Sequence, residues 1–97
     1  MKILTKKDGR VELEKLAIKV IMKNKNEFEV GDIVVEIRAL CDEEIELGEI
    51  IDVVFNAMDY LLHEGCIDIV ARFTYMVDPV KQIQFEQTGK IDSSVSV

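Results

Sequence analysis

Apolar positions from Leu47 to Leu62 recur at helical spacing, and the run stops at Gly65. On a period of about 3.6 residues, Ile50, Ile51, Val54, Phe55, Met58, Leu61 and Leu62 share one wide face. Glu49, Asp52, Asn56, Asp59 and His63 form a polar stripe opposite. This predicts a long helix, ended by a glycine suited to the left-handed position that closes helices. Beyond it the period changes to two. Ile67, Ile69, Ala71, Phe73, Tyr75 and Val77 alternate with Asp68, Val70, Arg72, Thr74 and Met76, which predicts one long strand with one face more buried. Asp78-Pro79 reads as a turn, and Ile83 and Phe85 among Gln82, Gln84 and Glu86 read as a second strand. The two strands would make a hairpin that Thr88-Gly89 closes.

Upstream, Leu13, Leu16, Ala17, Val20 and Ile21 mark an amphipathic helix from Val11 to Lys23, with Lys15, Lys19 and Lys23 four apart on its outer side. Asn24-Lys25-Asn26 supplies loop chemistry. Residues 28–40, FEVGDIVVEIRAL, fit both periods: Ile33, Val34, Ile37 and Leu40 make a helix face, while Ile33, Val35 and Ile37 make a strand face. The preferred reading is a short strand over 27–30 followed by a helix from about Gly31, because the long helix needs a partner for its apolar face. The acidic residues 41–46 connect the two helices, and Glu46 and Glu49 complement the positive end of the long helix's dipole.

Length and composition bound the rest. Ninety-seven residues, 48% hydrophobic with one proline, suit a single folded domain, placed at residues 11–90. Residues 1–10, with Lys2, Lys6, Lys7 and Arg10, are expected to be a basic arm that orders on a partner. Residues 91–97 are expected to be a flexible tail, and 92–97 holds all three serines. No apolar run approaches the roughly 20 residues that span a bilayer, and no export signal opens the chain, so a cytoplasmic protein without membrane association is expected. Cys41 and Cys66 then read as reduced, buried thiols.

The net charge of −7 is unevenly distributed. Residues 1–29 hold eight Lys and Arg against five acids, whereas 30–97 hold four against fourteen. Between Arg38 and Arg72 there is no basic residue, and nine carboxylates there imply a negative potential that repels polyphosphate.

Catalytic chemistry finds little footing. The serines stand in the tail, and Gly65 separates His63 from Cys66, so no nucleophile, base and orienting group assemble and no enzyme is expected. Cys41, His63 and Cys66 lack the paired spacing of a zinc site. The 42–46 acids lack the glycine and final bidentate acid of a calcium loop, and the five glycines are too isolated to cradle phosphates. No metal or cofactor is expected.

The order helix, small strand, helix, turn, helix, hairpin resembles the winged helix-turn-helix family. Glu29 to Leu40 match its second helix. Asn56-Ala57-Met58-Asp59-Tyr60-Leu61-Leu62-His63-Glu64-Gly65-Cys66-Ile67 match the third helix running into the wing, and Ile83 to Lys90 match the closing strand. The resemblance implies an α+β fold, a three-helix core with a C-terminal β-hairpin wing. It also implies a DNA-binding transcription regulator whose third helix enters the major groove and whose wing follows the backbone. The outward third-helix positions here are Glu49, Asp52, Asn56 and Asp59, where family members that bind DNA need cations. The DNA-binding expectation therefore moves to Lys15, Lys19, Lys23, Asn56, Arg72 and Lys81 in a homodimer. Val53, Ala57 and Tyr60 either widen the apolar arc for self-association or complete an ordinary core. The alternative is a protein-interaction module that grips a basic or apolar protein partner through Glu49, Asp52, Asp59, Phe73 and Tyr75.

Overall fold

A computed structural model describes residues 2–91 of the chain. The serine-bearing tail, 92–97, lies outside the described residues. Helix α1 spans Gly9–Met22 after a 3-10 turn at Lys6–Asp8; strand β1 spans Phe28–Glu29, α2 Val30–Leu40 and α3 Leu47–His63. Strands β2 (Ile67–Ala71) and β3 (Thr74–Val77) follow, and α4 spans Pro79–Thr88. The fold is α+β, with helices packed beside a three-stranded antiparallel sheet in the order β1-β3-β2.

Helix α1 buries Leu13, Leu16, Ala17, Val20, Ile21 and Met22 against α2 and α3. The helical period turns Ile33 and Ile37 of the β-branched run into the core and leaves Val35 in solvent, where a strand would have put all three on one face. The Asp32 carboxylate accepts the Glu29 backbone N–H at 3.0 Å, which satisfies a donor at the helix start. At the far end of α3, Cys66 N–H donates to the Leu61 carbonyl (2.8 Å) and Gly65 N–H to Leu62 (3.1 Å). This Schellman closure needs the left-handed φ of 74° that Gly65 provides.

Three expectations from the pattern are corrected. Residues 67–77 are two strands, not one: Ile67 pairs with Val77 and Ile69 with Tyr75 across a turn at Arg72-Phe73. The alternation runs on through that turn with no Gly or Asn to mark it, and Phe73 itself takes the positive φ of 62°. The hairpin is therefore complete by Val77. Residues 83–86 belong to α4, not to a strand. Asp78-Pro79 starts this helix, the Asp78 carboxylate accepting the N–H groups of Val80 (3.1 Å) and Lys81 (3.0 Å) with Pro79 in the first turn. Gly89, with φ of 72°, ends it.

The third correction concerns the basic arm. Leu4 is buried, and Ile3 and Leu4 donate to the Leu40 carbonyl while Asp42 N–H donates to Leu4 (2.8 Å). Residues 3–4 thus form a rung beside the α2–α3 connection, and α1 begins at Gly9 rather than Val11. The same connection is held by Arg38, whose guanidinium donates to the carbonyls of Ile45 (2.5 Å) and Asp42 (2.6 Å). Helix α4 is fastened to the end of α1 by buried Gln82, whose Nε2 donates to the carbonyls of Met22 (2.8 Å) and Asn24 (2.7 Å).

Candidate functional site

Helix α3 has an apolar arc wider than the roughly 100° stripe that a core contact covers, and the surplus determines its outer surface. Ile50, Val53, Val54, Ala57, Met58 and Leu61 are buried. Val53 and Ala57 therefore complete the core, and Tyr60 alone of the three surplus residues is exposed. The predicted apolar face is corrected at Ile51 and Phe55, which stand in solvent: Leu47, Ile51 and Phe55 are 49%, 37% and 56% exposed. They follow one another four residues apart, forming a strip along the first three turns.

Beside that strip lie Asp52, Asn56 and Asp59, all exposed. Asp52 accepts a short hydrogen bond from the Arg10 guanidinium of α1, and this bond raises the Arg10 pKa further. Glu49 is half-buried and lines a small cleft with Thr5 and Lys6 of the N-terminal segment. Cations of the N-terminal region thus lie against the Glu49 and Asp52 side of α3, while Asp59 and the apolar strip lie farther round the helix.

The hairpin tip is the second exposed element. Phe73 is 66% exposed and the Arg72 guanidinium sits 5.1 Å from its ring centroid, a cation–π contact. A bulky side chain with positive φ is an outlier that costs about 1 kcal/mol or more, so the tip carries strain where its aromatic ring meets solvent. Tyr75 differs from Phe73: it is half-buried and packs on Phe28 with ring centroids 6.1 Å apart. Ile69, opposite Tyr75 in the ladder, is exposed.

The basic positions expected to meet DNA are dispersed over the fold. Lys15 pairs with Glu12 at 3.3 Å, and Lys23, which caps α1, forms a short ion pair with Glu36 of α2. Lys19 is exposed on α1, and Arg72 is at the hairpin tip. Lys81, placed on the wing by the sequence reading, stands instead in the first turn of α4. Asn56 alone of the six lies on the outer face of α3.

Both thiols are buried, and burial pushes the pKa of Cys41 and of Cys66 upward, so each stays a protonated, unreactive side chain at neutral pH. His63 is exposed at the helix end whereas Cys66 lies inside it. Among the described residues no group of three His, Cys, Asp or Glu is placed to hold a metal ion, and no helix is long and apolar enough to cross a membrane.

Sequence reasoning missed Leu47, Ile51 and Phe55 as surface residues. The signal for them was the excess width of the apolar arc. Set against family models, curated proteins and solved structures, the chain matches none.

Proposed function

We propose that this protein is a winged-helix-like interaction module that receives a basic, apolar-anchored segment of a partner protein on the outer face of α3. The single observation behind this reading is the pairing of two strips, Leu47-Ile51-Phe55 and Asp52-Asn56-Asp59, on one exposed helix face. Single exposed apolar residues are ordinary, but three in register on successive turns are the footprint of a contact. Asp52 is already paired with Arg10, so Asp59 beside the strip selects the sign of the partner's charge and speeds the encounter. Exposed Phe73 at the strained hairpin tip is a second aromatic anchor. The order helix, strand, helix, helix, hairpin, with sheet order β1-β3-β2, supports the winged-helix description.

A helix that reads DNA uses cations for phosphate and accepts carboxylates only opposite cytosine amines. The outer face of α3 has no Lys or Arg of its own. The deciding experiment is calorimetric titration with an amphipathic Leu/Lys helical peptide, its Leu/Glu counterpart and random duplex DNA. The Leu/Lys peptide is expected to bind, more weakly as salt rises, with Phe55→Ser and Asp59→Lys each lowering its affinity. Binding to duplex DNA alone, steeply salt-dependent and lost when Lys15, Lys19 and Lys23 become Gln, would replace this reading with that of a DNA-binding homodimeric regulator.

A further inference from the structure

A groove of about 610 Å³ runs between the N-terminal segment, the outer side of α1 and the end of α4. Its walls are apolar, formed by Ile3, Leu16, Ile18, Tyr60, Phe85 and Ile91. Among the described residues that line it are Lys15, Lys19 and Lys90 and one acid, Glu12. Glu12 already pairs with Lys15, which leaves Lys19 and Lys90 in excess among the described lining residues. This is a local reversal in a protein whose net charge is −7.

We infer that this groove binds a free aliphatic carboxylate of medium chain length. The volume falls within the roughly 300–1,000 Å³ range of small-molecule sites, and an apolar wall with few polar groups is their usual lining. The alkyl chain covers the exposed parts of Ile3, Ile18, Tyr60, Phe85 and Ile91, which is the main driving force. The carboxylate takes charge-assisted hydrogen bonds from Lys19 and Lys90. Burial raises the pKa of Tyr60, which keeps its phenol a neutral donor at the groove wall. An alkyl cation is opposed by Lys19 and Lys90, and a neutral alcohol supplies no charge to meet them. The site lies on the N-terminal segment, α1 and α4 with Tyr60 of α3, and its lining includes none of Leu47, Ile51, Phe55, Asp52, Asn56 and Asp59, so it stands or falls independently of the face those residues form.

The test is an NMR titration of the ¹⁵N-labelled full chain with sodium decanoate below its micelle concentration, with decanol and decyltrimethylammonium as controls. Saturable shifts are expected at the amides of Leu16, Ile18, Lys19, Phe85 and Ile91. Decanol should bind about tenfold more weakly and the alkylammonium ion not measurably, a tenfold ratio being about 1.4 kcal/mol. Lys19→Gln with Lys90→Gln should weaken decanoate by about tenfold, bringing it to the level of decanol. Ile18→Trp, which fills the groove, should abolish the shifts while leaving the circular dichroism spectrum unchanged. Absence of saturable shifts at millimolar decanoate would overturn the proposal. So would decanol binding as tightly as decanoate, or shifts confined to Leu47, Ile51 and Phe55.

Discussion

On α3, Ile50 and Leu61 lie fully buried in the helical core, while Ile51 and Phe55, of the same apolar character, stand in solvent on the neighbouring flank. Hydrophobic side chains of one helix thus do two different things. Those toward α1 and α2 hold the fold, because burial of each aliphatic side chain contributes roughly 1.5–3 kcal/mol. Those beside Asp52, Asn56 and Asp59 contribute little to the isolated chain and leave apolar surface available to a partner. The difference teaches that the period of a helix reports its apolar width, whereas the number of neighbouring elements decides how much of that width is covered.

The contrast can be broken by substitution on either side of it. Leu61→Ala should destabilise by about 2–5 kcal/mol through the cavity it leaves, measured as a lower urea midpoint at constant slope. A loss as small as that of a surface change would mean that the inner flank is not the core. Gln82→Leu keeps the volume but orphans the carbonyls of Met22 and Asn24, and should cost about 1–3 kcal/mol in the same assay. Asp78→Ala removes the cap of α4 and should cost about 1 kcal/mol, with the loss confined to hydrogen-exchange protection of α4 if that helix opens separately.

A smaller effect tests the interior by titration. The thiol pKa values of Cys41 and Cys66 are raised by burial, so the folded state holds their protons longer than the unfolded chain does. Their contribution to stability is fully present below the unfolded thiol value of 9.0 and is lost as pH rises through the higher folded values. Alkaline unfolding curves should show this decline, and Cys66→Ala should reduce its slope. The smallest expected change in stability is that of Phe55→Ser, within about 0.5 kcal/mol, accompanied by a clear loss of affinity for the Leu/Lys peptide. A large destabilisation by Phe55→Ser would erase the distinction between the two flanks.

The first and third helices of this fold are legible in the sequence because each carries its own periodic stripe and boundary chemistry, whereas residues 28–40 fit both periods and only the need to cover α3 favours a helix there. Glu46 before Leu47, Gly65 after His63 and the Asn24 loop all fall where the pattern places an end. The hairpin was legible only as extended chain. A two-residue turn pairs Ala71 with Thr74 and by itself would swap the faces, but the register shift between Ile69 and Ala71 restores them, so Ile67, Ile69, Tyr75 and Val77 share one face and the alternation shows no break across Arg72-Phe73. Helix α4 was misread because Ile83 and Phe85 stand two apart among glutamines, a local strand pattern, while Asp78-Pro79 suits both a turn and a helix start. The candidate face was half visible: its acids are plain in the sequence, but that Ile51 and Phe55 join them depends on where α1 and α2 stop covering α3.

Leu4 and Cys41 meet as neighbours although the whole of α1 and α2 separates them along the chain. The acidic connection ahead of α3 therefore cannot be locked until the opening residues have returned to it, a non-local closure that adds contact order to an otherwise helical start. Amides of Ile3, Leu4 and Asp42 should gain their protection together, late in refolding, as one cooperative latch.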